Sequence, residues 1–496
     1  MTLSPLDTAV VALFLIAILA LGFSARLRDN SILQYLAAGR ALSLPAFVAT
    51  LVCTWYGGIL GVGESVQTYG TGTWLLLGVP YYVFALLYAW FFAKRVRGAE
   101  QISIPERLAN KWGKAAGVVS AILIFLLAVP AAHVLMLGIL AQTVTRSANL
   151  TLCVVVSTLV GTLFLYRGGL LADVRASILA FVMMYVGFAV IVGYCLWHFP
   201  PSTTFPRIDR KLFDWSGGQG YLNVIGFFLL GAWTMIDPGF HQRVASSKDP
   251  PTGRAGVLVS VGFWFLFDVL SMTVGLYAVA LVHPTPENGL YLYPALGDQV
   301  LPSGLKAVFL CGMLGTILCA MVAYTLVSGA TLGRDIVARL RPASTDAQVK
   351  NWTRAGFGVA CLVAILLALK IDSVVDLWYQ WGGSVEGALL IPVTAAYIPR
   401  FQLQASPRWV VGSMATAFFV SFLWLLEGKR TGNPYLVVYL AGQEFSLGTL
   451  IPGLSVSALV LTLGHFASRK IDAMVEEVQI DALAETAIEA KDTANG

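Results

Sequence analysis

Four titratable side chains stand inside stretches otherwise suited to a lipid bilayer: Glu64, Asp268, Glu386 and His133. Ionisable groups in such segments are costly and mark pathways for ions or solutes. Burial disfavours the charged carboxylate, so each of the three acids could carry a proton. The rival role is a hydrogen bond to backbone amides freed at a helix break, and for Glu64 both roles stand. Glu386 lies in WGGSVEGALL, where a glycine pair and a carboxyl converge at mid-span, which favours function. Asp268 is one turn from Trp264 on the same helical face, so the pair could line a cavity. His133 reads as a satisfied core histidine.

The break that these groups need is written in LVCTWYGGILGVG, Leu51 to Gly63, directly before Glu64. Glycine loosens a helix interior by about 1 kcal/mol relative to alanine. Freed carbonyls at membrane depth are tolerated only where they line a polar cavity or hold an ion. A second interruption is WTMIDPGFHQR, Trp233 to Arg243, where Asp237 is expected to cap the helix at the cytosolic end of its span. A third stretch, Gly315 to Gly329, is rich in small residues and should let another backbone come close.

These segments must be held by membrane helices. The chain is 57% hydrophobic and 12% charged, whereas soluble domains carry about a quarter charged residues. A bilayer core of ~30 Å takes roughly 20 apolar residues per helix. That rule gives about thirteen spans, near 7–25, 44–69, 74–93, 115–143, 150–166, 176–197, 221–241, 255–282, 304–333, 354–371, 373–398, 408–427 and 446–468. With the N-terminus outside and the C-terminus cytosolic, three-quarters of the Lys and Arg residues fall on the inside, as the positive-inside rule requires. The first span has Asp7 and no basic flank, so it reads as a retained helix rather than a cleaved signal. Arg175 is expected to snorkel at the cytosolic edge.

The six cysteines all fall within or at the ends of spans, which predicts no disulfide framework. No CxxC or His/Cys cluster suggests a metal. Without a Walker A loop, a nucleophile elbow or an HExxH motif, neither ATP-driven pumping nor hydrolysis has a basis, and an enzyme is not expected. Nothing points to nucleic acid. The expected organisation is one transmembrane domain over residues 1–472 and an acidic cytosolic tail over 473–496.

The breaks near 57 and 237 each open a five-helix block, spans 2–6 and 7–11. Blocks with an odd number of spans have opposite topology, and paired breaks at matching places are the mark of an inverted-repeat transporter. Four stretches then carry a resemblance: LQYLAAGRALSLP (Leu33 to Pro45), ISIPERLANKWG (Ile102 to Gly113), YRGGLLADVRASILAFVMM (Tyr166 to Met184) and DPGFHQRVASSKDP (Asp237 to Pro250). In order and spacing they resemble the sodium/solute symporter family. The resemblance implies an all-α polytopic fold of the LeuT type, with core repeats over about 44–197 and 221–398 and peripheral helices at 7–25, 408–427 and 446–468.

It also implies a sodium site made by the carbonyls of Cys53 and Tyr56 with Thr316, Cys319 and Ala320. Where the family carries paired hydroxyls, this chain has Cys319 and Ala320, a poor set for a hard cation. The family's Thr-Asp pair and following Gln are here Ala176, Ser177 and Ala180. Trp55, Tyr56, Trp233 and Gln380 are implied to face a central cavity, beside the candidates Glu64, Trp264, Asp268 and Glu386. The function implied is secondary transport of a small organic solute by alternating access in the cell membrane, amid lipid. The coupling cation would be sodium by resemblance, with a proton as the alternative. A non-transporting sensor or scaffold, or an uncoupled facilitator, is the rival.

Overall fold

The computed structural model describes residues 1–370, 373–401, 403–431, 436–440 and 443–469. The expected acidic tail, 473–496, lies outside the described residues. Among these, eleven helices are long and apolar enough to cross a membrane. The two other expected spans coincide with helical segments at Leu150–Thr162 and Val374–Tyr397. An antiparallel hairpin, Leu436–Leu440 paired with Gln443–Leu447, sits between the last two long helices.

Local sequence sets the helix starts. Ser4 and Asp7 form a reciprocal capping box at the first helix, with Pro5 at its first position, where a missing N–H costs nothing. Ser103 accepts from the Glu106 amide and Pro105 follows, so the helix begins at Ile104 rather than near 115. Gly113, at φ +84°, supplies the kink that lets the Pro-Glu stretch join the same rod. That rod runs on through Val129 and Pro130 into Ala131–Thr145. The next long helix begins at Leu165, not 176, because Gly169 adopts φ +52° and absorbs the Gly-Gly turn inside the helix.

Leu305–Ala330 is the central rod, with most of its length buried on every side. Its small residues allow that. A Cβ on Gly187 would lie 2.9 Å from the Val308 carbonyl oxygen, and one on Gly312 would lie 3.0 Å from that of Met183. Close backbone approach of this kind replaces the hydrophobic drive that lipid cannot provide. At one end the rod is tied to the Ile104 helix. Arg334 meets Glu106 at 2.5 Å and Asp335 at 3.2 Å, while the Ser103 hydroxyl donates to Asp335.

The two long connections are ordered. Residues Pro200 to Gly220 fold into short helical turns pinned by Thr71, whose amide donates to Leu212 at 2.7 Å. The other carries the helix Leu292–Val300, with Asp298 and Lys306 paired at 2.8 Å. All six cysteines are buried and unpaired.

Candidate functional site

The first broken helix runs as Leu44–Trp55, a tight turn at Tyr56–Gly58, and Ile59–Tyr69. Two glycines are there for room. A Cβ on Gly57 would overlap that of Ala320 and press on His133, and one on Gly58 would run into the Trp378 ring. The turn aims Tyr56 sideways. Its hydroxyl lies 2.7 Å from Asp268 Oδ1 and 2.7 Å from the Trp264 carbonyl oxygen. The Tyr82 hydroxyl donates to the other oxygen of Asp268, so the carboxylate is clamped by two phenols.

The second broken helix passes through a tight turn at Gly231–Met235 into Pro238–Ser246. Asp237 caps the second half, accepting from the Phe240 amide at 2.6 Å. It also accepts from the Tyr324 hydroxyl at 2.7 Å and from Trp233 Nε1 at 3.2 Å. Asp237 is therefore a cap, but not at the end of its span: the helix continues to Ser246, which places the carboxylate at an internal break facing the cavity.

Between the two breaks lies a cavity walled by Trp55, Tyr56, Tyr81, Tyr82, Trp233, Tyr324, Trp378 and Trp381, with Asp237, Asp268 and His133 among its polar members. The structure thus brings Trp55, Tyr56, Trp233 and Asp268 together at one surface. His133 joins them, stacked on Tyr324 with ring centroids 5.3 Å apart.

Four other expected residues stay off the cavity wall. Glu64 turns away to accept from the Val374 and Val375 amides at 3.2 and 3.4 Å, the helix-end role. Trp264 is fully buried behind Trp55, their rings 5.0 Å apart. Gln380 is displaced because Leu377–Gly382 winds as a π-helix, a wider turn that rotates the residues after it. That rotation presents Trp378 and Trp381 instead. Glu386 is completely enclosed, and neither carboxyl oxygen has a hydrogen-bond partner among the described residues.

Sequence reasoning also missed Tyr81, Tyr82 and Asp173. The signal for the tyrosines was an adjacent pair after Pro80 in an apolar span. Asp173 was placed in a loop, but the longer helix carries it inside, 2.6 Å from Arg243, with both side chains fully buried. At the positions implied for sodium, the Tyr56 carbonyl already accepts from the Ile59 amide. The Thr316 hydroxyl donates to the Met313 carbonyl oxygen at 2.9 Å.

Two broken helices facing one cavity inside a helical bundle define a membrane transporter of the LeuT type. The sodium:solute symporter family model matches residues 35–380, and the chain belongs to that family. The osmoregulated proline transporter OpuE of Bacillus subtilis is 25% identical over 490 residues, covering 90% of this chain and 94% of the relative. Sodium/glucose cotransporter 4 of Danio rerio is 23% identical over 426 residues, covering 75% of this chain but only 63% of the fish protein. Among solved structures, a substrate-bound, outward-open Na+-coupled sialic acid symporter matches with a TM-score of 0.71 at 14% identity, covering 94% of this chain and 98% of that one. The protein is an integral, multi-pass membrane protein.

Proposed function

We propose that the protein is a secondary transporter that carries a small organic solute by alternating access through the cavity between the two breaks. The solute class we favour is an organic cation or a zwitterion. One observation carries this choice: the described residues lining the cavity include Asp237 and Asp268 but no Lys or Arg. Aromatic faces attract a cation most strongly when it is stripped of water, and the wall is largely Trp and Tyr. The proline named for the Bacillus relative is a zwitterion and fits this pattern. The Arg334–Glu106 ion pair is the candidate inner gate, since parting the Ile104 helix from the central rod has to break it.

The test is a thermal-shift panel on the purified protein with choline, proline, glucose and sialic acid, followed by uptake into vesicles. A ligand at 100 times its dissociation constant stabilises the folded state by about 2.7 kcal/mol. Charged or zwitterionic amines should raise the melting temperature, and Asp268→Asn should abolish the rise. Stabilisation by glucose alone would overturn the solute class. A solute that binds but never enters vesicles would turn the reading to a sensor on a transporter fold. Entry without accumulation would mark an uncoupled facilitator. Coupling is a separate matter and depends on the residues around Cys53 and Cys319.

A further inference from the structure

We infer that the cavity holds a carboxylate subsite at the start of the helix Ala131–Thr145, formed by the backbone amides of Ala132 and His133 with the His133 ring. It selects the zwitterion from the two solute classes proposed above, so the inference rests on that reading and narrows it.

The rod that runs from Ile104 to Thr145 is interrupted on the cavity wall. Ala128 ends its first part, Val129 and Pro130 leave helical geometry with ψ of +121° and +37°, and Ala131 begins the second part. Proline explains the stop, since it turns the residue before it away from the helical region and brings no N–H of its own. Leu126, Leu127, Val129, Ala131, Ala132 and His133 all line the cavity. The first amides of a helix have no carbonyl one turn back to bond. Here the Ala131 amide turns to the Val129 carbonyl and the Val134 amide to that of Pro130, both at 2.9 Å. The amides of Ala132 and His133 between them have no acceptor among the described residues. No side chain caps this helix start.

A second observation points the same way. The His133 side chain is only 9% exposed, yet its Nδ1 has no hydrogen-bond partner among the described residues. Buried polar atoms are normally satisfied. The ring is fixed by packing, stacked on Tyr324 and set against the first break at Gly57. Imidazole and amides supply donors, and the helix start adds the equivalent of about half a positive charge. That is what a carboxylate needs in a lining without Lys or Arg among its described residues. The first break is the poorer place for it. Its tight turn keeps the Tyr56 amide on the carbonyls of Val52 and Thr54 and the Ile59 amide on that of Tyr56.

The opposite pole is adjacent. Tyr324, on which His133 stacks, donates to Asp237 at 2.7 Å. One tyrosine ring therefore separates the carboxylate subsite from an acid able to hold an ammonium. An α-amino acid carries both charges on one carbon, whereas a quaternary amine such as choline has no carboxylate for the amides to receive.

The test compares amines that differ only in a carboxylate: proline with pyrrolidine, and glycine betaine with tetramethylammonium. Each dissociation constant is measured by calorimetry on the full-length protein in lipid nanodiscs. In wild type the member with the carboxylate should bind more tightly by about tenfold or more, the scale of one hydrogen bond to a charged group. His133→Ala should remove most of that preference, weakening the zwitterion far more than the matching amine. His133→Gln, which keeps an N–H donor, should restore part of it. A wild type that binds pyrrolidine or tetramethylammonium as tightly as its carboxylate counterpart overturns the inference and leaves the organic-cation class standing. Equal weakening of both members by His133→Ala would make the ring structural and overturn it too. Should that variant not fold, the wild-type comparison decides by itself. Binding by neither pair overturns both the inference and the solute class beneath it.

Discussion

The two helix breaks solve one problem in opposite ways. The first is made by absence: Gly57 and Gly58 have no side chain, and Ala320, His133 and Trp378 occupy the space. The second is made by presence: Asp237 gathers the Phe240 amide, the Trp233 indole and the Tyr324 hydroxyl on one carboxylate. A break held by close packing has no slack, whereas one held by hydrogen bonds can exchange partners. The second is thus the side suited to changing partners as a solute arrives, and the first is suited to be the fixed wall.

The largest effect should come from filling the first break. Gly57→Ala forces the Ala320 and His133 contacts apart, and overpacking of that kind costs typically 1–3 kcal/mol and occasionally more. We expect the upper end, read as a fall in melting temperature, with Ala320→Gly restoring most of the loss. A Gly57→Ala protein as stable as wild type would dissolve the contrast between the breaks. Next comes Asp237→Ala, which removes a cap worth about 1 kcal/mol and strands buried donors at roughly 1–3 kcal/mol. Asp237→Asn should recover part of the stability, because an amide oxygen still caps.

Smaller again is the effect on solute binding at the shifted helix. Trp378→Ala should weaken affinity about tenfold or more, as expected for a buried aromatic anchor, while Gln380→Ala should change it little. Equal losses at the two positions would mean that the π-turn does not set the facing. The smallest effect belongs to Glu64→Gln, which keeps an oxygen for the Val374 and Val375 amides. It should cost under about 1 kcal/mol and leave the solute dissociation constant unchanged. A large change in binding would return Glu64 to the solute pathway.

The architecture was legible in the sequence because apolar length, glycine pairs and proline starts act locally. The break at Tyr56–Gly58 and the one before Pro238 could be read from spacing alone. What escaped were features that depend on helix phase or on partners far along the chain. Gln380 was implied by the resemblance to face the cavity, but with Leu377–Gly382 wound as a π-turn it is Trp378 and Trp381 that line it. Trp264 was rightly placed near Asp268, but Trp55, more than two hundred residues away, covers it. Asp173 was invisible as an interior group because Gly169 lets a helix start where a turn was expected. Glu386 was favoured as a functional group, and the structure shows it as an enclosed carboxyl with no hydrogen-bond partner among the described residues.

The central rod touches both breaks with residues one turn apart. Ala320 abuts Gly57, and Tyr324 donates to Asp237. Four residues of helix span about 6 Å, too short a piece to bend. A slide or roll of the rod that loosens one break must therefore shift the other in the same stroke. The two halves of the cavity are geared through a single helical turn, and no longer-range relay is needed for one to register the state of the other.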